Sequence, residues 1–64
     1  MRITVLRQRM AEEFGPVRAD VLARDHVFSA LGSRTVNEAL HAGVSTKEIW
    51  RVVCTDLDVP LERR

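Results

Sequence analysis

Two helix-start signals stand ten residues apart in the second half of the chain, and they constrain the fold more than any other feature. Thr35 is followed three residues later by Glu38, and Ser45 is followed three residues later by Glu48. In this pattern, the capping box, the hydroxyl accepts a hydrogen bond from the backbone N–H of the Glu, whose carboxylate accepts one in return. Gly43 lies between the two signals and suits the end of a helix. The stretch therefore predicts two helices joined by a tight turn.

The two helices of this pair are expected to differ in length. The first should span about residues 36–42 and the second about residues 46–57, ending before Pro60. The first is too short to be stable alone and must bury its apolar side chains against other helices. The second carries one apolar face, with Cys54 at its edge, made by Ile49, Trp50, Val53 and Leu57. Residues 58–64 are expected to form a loose tail.

The first helix of the chain is expected to begin with Thr4 as its N-cap and to end at about Phe14. Its apolar residues recur at steps of three and four, as one helical stripe requires. They are Ile3, Leu6, Met10 and Phe14. The other side of this helix is charged, and we expect it to face solvent with an Arg9–Glu13 ion pair.

A Gly15-Pro16 step separates this helix from a second, longer one, which is expected over about residues 16–31. Its predicted apolar face consists of Val17, Val21, Ala23, Val27, Phe28 and Leu31. Asp20 and Arg24 fall inside that face, one turn apart, where a charge needs a partner. They are expected to pair with each other, or Arg24 reaches a carboxylate or helix end elsewhere. Alternatively, Arg24 lies along the core edge with its guanidinium in water.

The length of the chain indicates a single domain. With 64 residues, it is close to the smallest size that folds without disulfides or metals. The predicted fold is an all-α, compact bundle of four short helices over residues 1–64, with the last two packed as a pair against the second. The chain has only two Phe and one Trp, so its core must be mostly aliphatic. Part of the apolar surface should stay exposed and could serve a partner or a second copy of the chain.

Charge and cysteine content restrict the partner and the compartment. The net charge of +1 provides no electrostatic reason to expect a polyanion partner. A single cysteine excludes an intrachain disulfide and suits a reducing cytoplasm. The N-terminal stretch is too polar for a signal peptide, and no apolar run approaches the length of a membrane span. We therefore expect a cytoplasmic protein without a membrane partner.

No catalytic, metal-binding or nucleotide-binding pattern stands out. Asp25 and His26 are neighbours on a predicted helix, where adjacent side chains point about 100° apart and cannot form a dyad. His26, His41 and Cys54 are scattered, without the spacing of zinc ligands. Cys54 is better explained as a small buried apolar residue. The sequence therefore predicts a protein that is not an enzyme and that binds no cofactor or metal.

The C-terminal helix pair has an alternative interpretation as a helix-turn-helix motif that binds nucleic acid. The core spacing of that motif is matched by Ala39, Gly43, Val44, Ile49 and Val52. Arg34, Lys47 and Arg51 would then contact the nucleic acid. Two features oppose this interpretation. Trp50 groups with core positions instead of an exposed reading face, and Glu48 with the nearby aspartates nearly cancels the basic charge. Packing alone explains the helix pair better.

Several runs of residues cover nearly the whole chain and together resemble one known family. They are Arg9-Met10 before Phe14-Gly15, Arg24-Asp25-His26-Val27, Leu31-Gly32-x-Arg34-Thr35-Val36-x-Glu38-Ala39-Leu40, and Lys47-x-x-Trp50-Arg51-x-Val53-Cys54. The family consists of short actinobacterial proteins of unknown function, often encoded beside the recombination regulator RecX. Ser33 stands where that family usually has Gly, a departure expected only to tighten the turn. The resemblance implies an actinobacterial, cytoplasmic, helical protein with a link to DNA recombination or repair through genome neighbourhood.

These observations favour a small non-enzymatic interaction module that acts on a protein of DNA recombination or on itself as a dimer. The residues expected to serve structure or interaction are Asp20, Arg24, Asp25, His26, Thr35, Glu38, Ser45, Glu48 and Trp50. The alternative is a helix-turn-helix nucleic-acid binder. It would use Arg34, Lys47 and Arg51.

Overall fold

The fold is all-α, as the sequence predicts. The computed structural model describes residues 1–64 and contains no β-strand. Its helices are α1 (Ile3–Phe14), α2 (Pro16–Asp25), α3 (Val36–His41) and α4 (Thr46–Asp56), with short 3-10 turns at Ser29–Leu31 and Leu61–Arg63. The longest helix has 12 residues, and none has the length and apolarity that a membrane span requires.

The C-terminal pair folds close to its prediction, with one difference at the start of α4. At α3 the capping box is complete: Glu38 N donates to Thr35 Oγ1 at 3.1 Å, and Thr35 N donates to Glu38 Oε1 at 2.9 Å. At α4 only half of it forms. Ser45 Oγ accepts from Glu48 N at 3.2 Å. The Glu48 carboxylate accepts from Arg51 instead of from the backbone N–H of Ser45. The nearby guanidinium competes successfully for that carboxylate because its hydrogen bonds are charge-assisted.

The predicted cap of α1 is wrong. The helix begins at Ile3, two residues earlier than a cap at Thr4 implies, and Arg2 at the N-cap makes no side-chain cap bond. Thr4 therefore lies inside the first turn. Of the predicted apolar stripe, Leu6 and Met10 are fully buried, while Ile3 is half exposed at the helix end.

The second helix is shorter than predicted and ends at Asp25. His26 leaves it in an extended conformation, and Phe28 N then donates to the Arg34 carbonyl at 3.0 Å. This contact closes a loop over residues 28–34, with Gly32 in the left-handed region at φ 77°. Val27 and Phe28 follow His26, and β-branched and aromatic residues favour extended backbone. This preference helps the chain to leave the helix here.

The predicted apolar face of α2 is wrong for its three valines and correct for Ala23, Phe28 and Leu31. The residues of α2 that are buried are Ala19, Leu22 and Ala23, whereas the exposed fractions of Val17 and Val21 are 78% and 42%. Val27, just beyond the helix, is 54% exposed. The Gly15-Pro16 corner folds α2 directly back on α1, and small alanine side chains allow two helices to approach closely. Phe28 and Leu31 are buried as predicted, but from the loop.

The C-terminal segment, expected to be a loose tail, is attached to the bundle through Val59, Arg63 and Arg64, while residues 61–64 stay exposed. Val59 is 2% exposed, and Arg64 donates to the carbonyls of Val59 at 2.7 Å and Cys54 at 3.2 Å. Arg63 pairs with Glu13 of α1. These contacts hold the C-terminal segment to the bundle. The sequence of the segment itself does not predict them, because the partner of Arg63 lies 50 residues earlier in the chain.

The core lies where the helices meet. Trp50 is 6% exposed, which confirms that its indole points inward. Ile49, Val53 and Cys54 of α4 are fully buried beside it. The predicted packing of the last two helices against α2 holds for α3, whereas α4 packs on α1 and α3. The core is mostly aliphatic, with Phe28 as the largest fully buried side chain.

Candidate functional site

Charged residues at the exposed side of α4 are satisfied locally. Arg51 Nε donates to Glu48 Oε2 at 3.0 Å, and a second, shorter contact joins Arg51 Nη2 to Glu48 Oε1. The hydrogen bonds from Arg51 lower the pKa of the Glu48 carboxyl, and the same bonds raise the pKa of the Arg51 guanidinium. Lys47 is exposed beside this pair. The start of α4 therefore presents little uncompensated positive charge.

Arg34, the third residue of the nucleic-acid hypothesis, lies on the loop that precedes α3. Its Nη1 donates to the Leu31 carbonyl at 3.5 Å, and the same nitrogen lies 3.2 Å from where a Cβ on Gly32 would stand. The Arg34 carbonyl also accepts from Phe28 N. Arg34 thus supports the closed loop with both its side chain and its backbone.

The surface of α2 brings together three of the predicted site residues. Arg24 Nη1 lies 3.3 Å from Asp20 Oδ2, which confirms the predicted pair, and Arg24 Nε lies 3.7 Å from Asp25 Oδ2. The side chains of Asp20 and Arg24 are 69% and 59% exposed, so the pair lies on the surface and not in the core. Exposed ion pairs of this kind add little stability.

Close to these charges lie three exposed apolar residues, which we name the valine stripe: Val17 and Val21, one turn apart on α2, and Val27, two residues beyond the end of the helix. The sequence predicts that these residues lie in the core, and this prediction is wrong. Periodicity reports that a helix face is apolar, and it does not report whether the protein itself covers that face. An exposed apolar cluster rimmed by polar residues is typical of an interaction site. The valine stripe is therefore the principal candidate surface.

A second candidate is a shallow cleft of about 260 Å³ beside Trp50. Its lining consists of Arg9, Glu12, Glu13, Trp50 and Arg63. Glu13 receives three hydrogen bonds from Arg63, between 2.9 and 3.2 Å, and these bonds lower the pKa of its carboxyl. The predicted Arg9–Glu13 pair is thus replaced by a Glu13–Arg63 pair. The Trp50 indole N–H is buried and has no acceptor within the protein.

The structure places the residues considered for chemistry in different environments. Cys54 is fully buried, and burial raises the pKa of its thiol, which disfavours the thiolate that nucleophilic attack requires. His26 is exposed, with its ring 4.6 Å from that of Phe28. The structure brings no three His, Cys, Asp or Glu side chains into a group that could hold a metal ion.

A groove of about 150 Å³ lies between α1 and α2 and shares Asp20 with the rim of the valine stripe. Its floor is formed by Met10 and by the small side chains of Ala11, Ala19 and Ala23. The groove is too small for a drug-sized ligand, which needs about 300 Å³ or more. We interpret it as incomplete packing between two closely spaced helices.

Comparisons with known proteins leave the function open and establish the family. Searches of curated proteins and of solved structures found no match to this chain. Residues 1–62 match the protein family described as "Protein of unknown function (DUF3046)". Because this match spans nearly the entire bundle, the chain belongs to the DUF3046 family.

Proposed function

We propose that the protein is a small non-enzymatic module that works by binding another protein chain. The observation that carries this proposal is the valine stripe: three β-branched apolar side chains, 42–78% exposed, two of them one turn apart on α2 and the third two residues beyond its end. Single exposed apolar residues need no explanation, whereas a cluster with a charged rim is typical of interaction surfaces. Covering it with a partner would remove apolar area from water, which favours association.

The charges around the stripe are consistent with a protein partner. Asp20, Arg24 and Asp25 are already paired with one another, so they form a polar rim without a strong net field. The buried state of Cys54 supports the non-enzymatic part of the proposal, because it leaves the single thiol protonated and inaccessible.

The biological setting is a finer part of the same proposal and rests on the resemblance described above. We propose an actinobacterial, cytoplasmic protein whose association serves DNA recombination or repair. In the family that the chain resembles, genome neighbourhood with the regulator RecX supports this setting by association and specifies no contact.

A capture experiment tests the proposal. The immobilised protein is exposed to an actinobacterial lysate and compared with Val17→Glu, which places a charge in the stripe, and with Leu61→Glu. Leu61 is 79% exposed on the far C-terminal turn and is a matched control. We expect specific proteins to be retained by the wild type and Leu61→Glu and lost by Val17→Glu. Equal retention by all three would contradict the proposal.

Nucleic-acid binding through α3 and α4 is the second candidate function. The observation in its favour is that Ala39, Ile49 and Val52 are buried, as the helix-turn-helix spacing requires, while Lys47 and Arg51 stay exposed. A binder should shift a labelled duplex at low salt, lose affinity steeply as salt rises, and weaken with Lys47→Ala and Arg51→Ala. The absence of any shift at high protein concentration would remove this candidate.

A further inference from the structure

We propose that the valine stripe is covered by the valine stripe of a second copy of the chain, with the two α2 helices antiparallel and a two-fold axis near Val21. This inference rests on the proposed function, because it names the partner of the same surface. The arrangement has a defined register, so each contact between the two copies can be tested separately.

The outward face of α2 follows from burial. Because Ala19, Leu22 and Ala23 point into the core, the opposite side of the helix must face solvent, and it carries Val17 and Val21. Successive residues turn by about 100° around a helix. On this wheel, Asp20 and Arg24 lie along one flank of the valines. Arg18 and Asp25 lie along the other flank.

Charge complementarity between copies supports antiparallel pairing. In a two-fold antiparallel pair, each flank of a helix meets the same flank of its partner in reversed order. With the axis level with residues 21 and 22, Asp20 therefore faces Arg24 of the second copy, and Arg18 faces the second copy's Asp25. Both flanks match opposite charges in one and the same register, and each contact occurs twice. Antiparallel alignment also places opposite ends of the helix dipoles together.

The third valine fits the same arrangement. Val27 follows the end of α2, where it is 54% exposed, and the same register brings this end of the helix next to Val17 of the second copy. The contact therefore starts from Val17 and Val21 and extends towards Val27. A 64-residue chain gains from such pairing, since small domains bury a low fraction of their surface and often use oligomerisation for stability. The contact area is small, so the dimer is expected to be weak and to form reversibly.

Sedimentation at increasing protein concentration tests the association. We expect a monomer–dimer equilibrium in the wild type and in the control Leu61→Glu. Val21→Glu should weaken the dimer at least tenfold, because it places two carboxylates side by side near the axis. Circular dichroism verifies that each variant keeps its helical content. A wild type that remains monomeric up to millimolar concentration would overturn the inference.

Charge reversal tests the identity of the partner. Arg24→Asp should weaken the dimer, because it places two carboxylates opposite each other on one flank. The double variant Asp20→Arg/Arg24→Asp restores opposite charges in a homodimer, and its dimer should recover most of the lost affinity. A foreign partner of fixed charge would not show this recovery. If the double variant is as weak as Arg24→Asp, self-pairing through this flank is wrong.

Cross-linking tests the register. The native thiol of Cys54 is buried, so a cysteine introduced on the stripe is the only exposed one. Under mild oxidation, Val21→Cys should form a disulfide-linked dimer. Val17→Cys should not, because position 17 of one chain lies far from position 17 of the second chain. Equal cross-linking of both would overturn the antiparallel register. A monomeric wild type that still captures other proteins through Val17 would overturn self-pairing and leave the proposed function intact.

Discussion

The two halves of the bundle are built in different ways. In the C-terminal half, the side chains of Thr35 and Ser45 accept hydrogen bonds from the first turns of α3 and α4, and the apolar side of α4 faces inward. In the N-terminal half, neither helix has a side-chain cap. There the core side of α2 consists largely of alanines, while two valines face solvent. A cap specifies where a helix starts, whereas apolar periodicity identifies the core side only when the helix has a single apolar face.

Comparing two neighbouring residues of α2 is the strongest test of this contrast. Leu22→Ala should lower the free energy of unfolding by about 2–4 kcal/mol, because it removes buried methyl groups and leaves a cavity. Val21→Ala should change the stability of the monomer by less than about 1 kcal/mol, because Val21 is 42% exposed and lies outside the buried core. Urea denaturation at low protein concentration measures both.

The low concentration is the control, since association through the valine stripe would stabilise the wild type and Leu22→Ala more than Val21→Ala. A larger loss from Val21→Ala than from Leu22→Ala would mean that the inward and outward sides of α2 have been exchanged.

The parts of the fold that the sequence could predict depend on contacts between near neighbours. The complete capping box at Thr35 and Glu38 joins residues three apart, and the inward direction of Trp50 follows from apolar residues on the same helix. The early end of α2 depends on Phe28 and the Arg34 carbonyl, a pairing that forms only when the loop closes. The packed tail depends on contacts across 50 residues, between Glu13 and Arg63. No periodic pattern encodes such pairings.

The candidate surface illustrates the same limit. The sequence places Val17, Val21 and Val27 on one apolar face and predicts the nearby pair of Asp20 and Arg24, which the structure contains. Their exposure could not be predicted, because it depends on which side of α2 packs against α1. The unexpected charges on the supposed core face were the available signal, since charged residues are rarely buried.

The two caps should differ in their effect on stability. Thr35→Ala should lower the free energy of unfolding by about 1 kcal/mol, because it removes the hydroxyl acceptor of a complete, buried capping box. Ser45→Ala should cost less, since that cap is exposed and lacks the reciprocal bond. Thermal unfolding of both variants, with Thr4→Ala as the control, measures the difference. Equal losses at positions 35 and 45 would show that the reciprocal bond from Glu38 adds nothing.

The departure at Ser33 predicts a smaller effect of opposite sign. Ser33 has a φ of 59°, in the left-handed region that favours glycine, so the residue adds backbone strain instead of merely tightening the turn. Ser33→Gly should raise the free energy of unfolding by about 0.5–1 kcal/mol. The control Ser29→Gly, in the right-handed 3-10 turn, should lower it. A destabilising Ser33→Gly would mean that the flexibility gained by the unfolded chain outweighs the strain.

The smallest expected effect concerns acid sensitivity and compares an ion pair that joins the two halves with one inside α4. Hydrogen bonds from Arg63 hold the pKa of Glu13 below its ordinary value of 4.5, and Arg51 does the same for Glu48. A lowered pKa in the folded state stabilises the protein above the ordinary pKa, and that contribution is lost as the pH falls through the lowered one. The wild type should therefore lose stability from about pH 5 downward. The side chain of Glu13 is 15% exposed and that of Glu48 is 45% exposed, so Glu13→Gln should remove more of this pH dependence than Glu48→Gln. Urea midpoints of the wild type, Glu13→Gln and Glu48→Gln, measured from pH 7 to pH 3, test this expectation. If the midpoint changes with pH equally in the wild type and Glu13→Gln, the Glu13–Arg63 pair does not contribute.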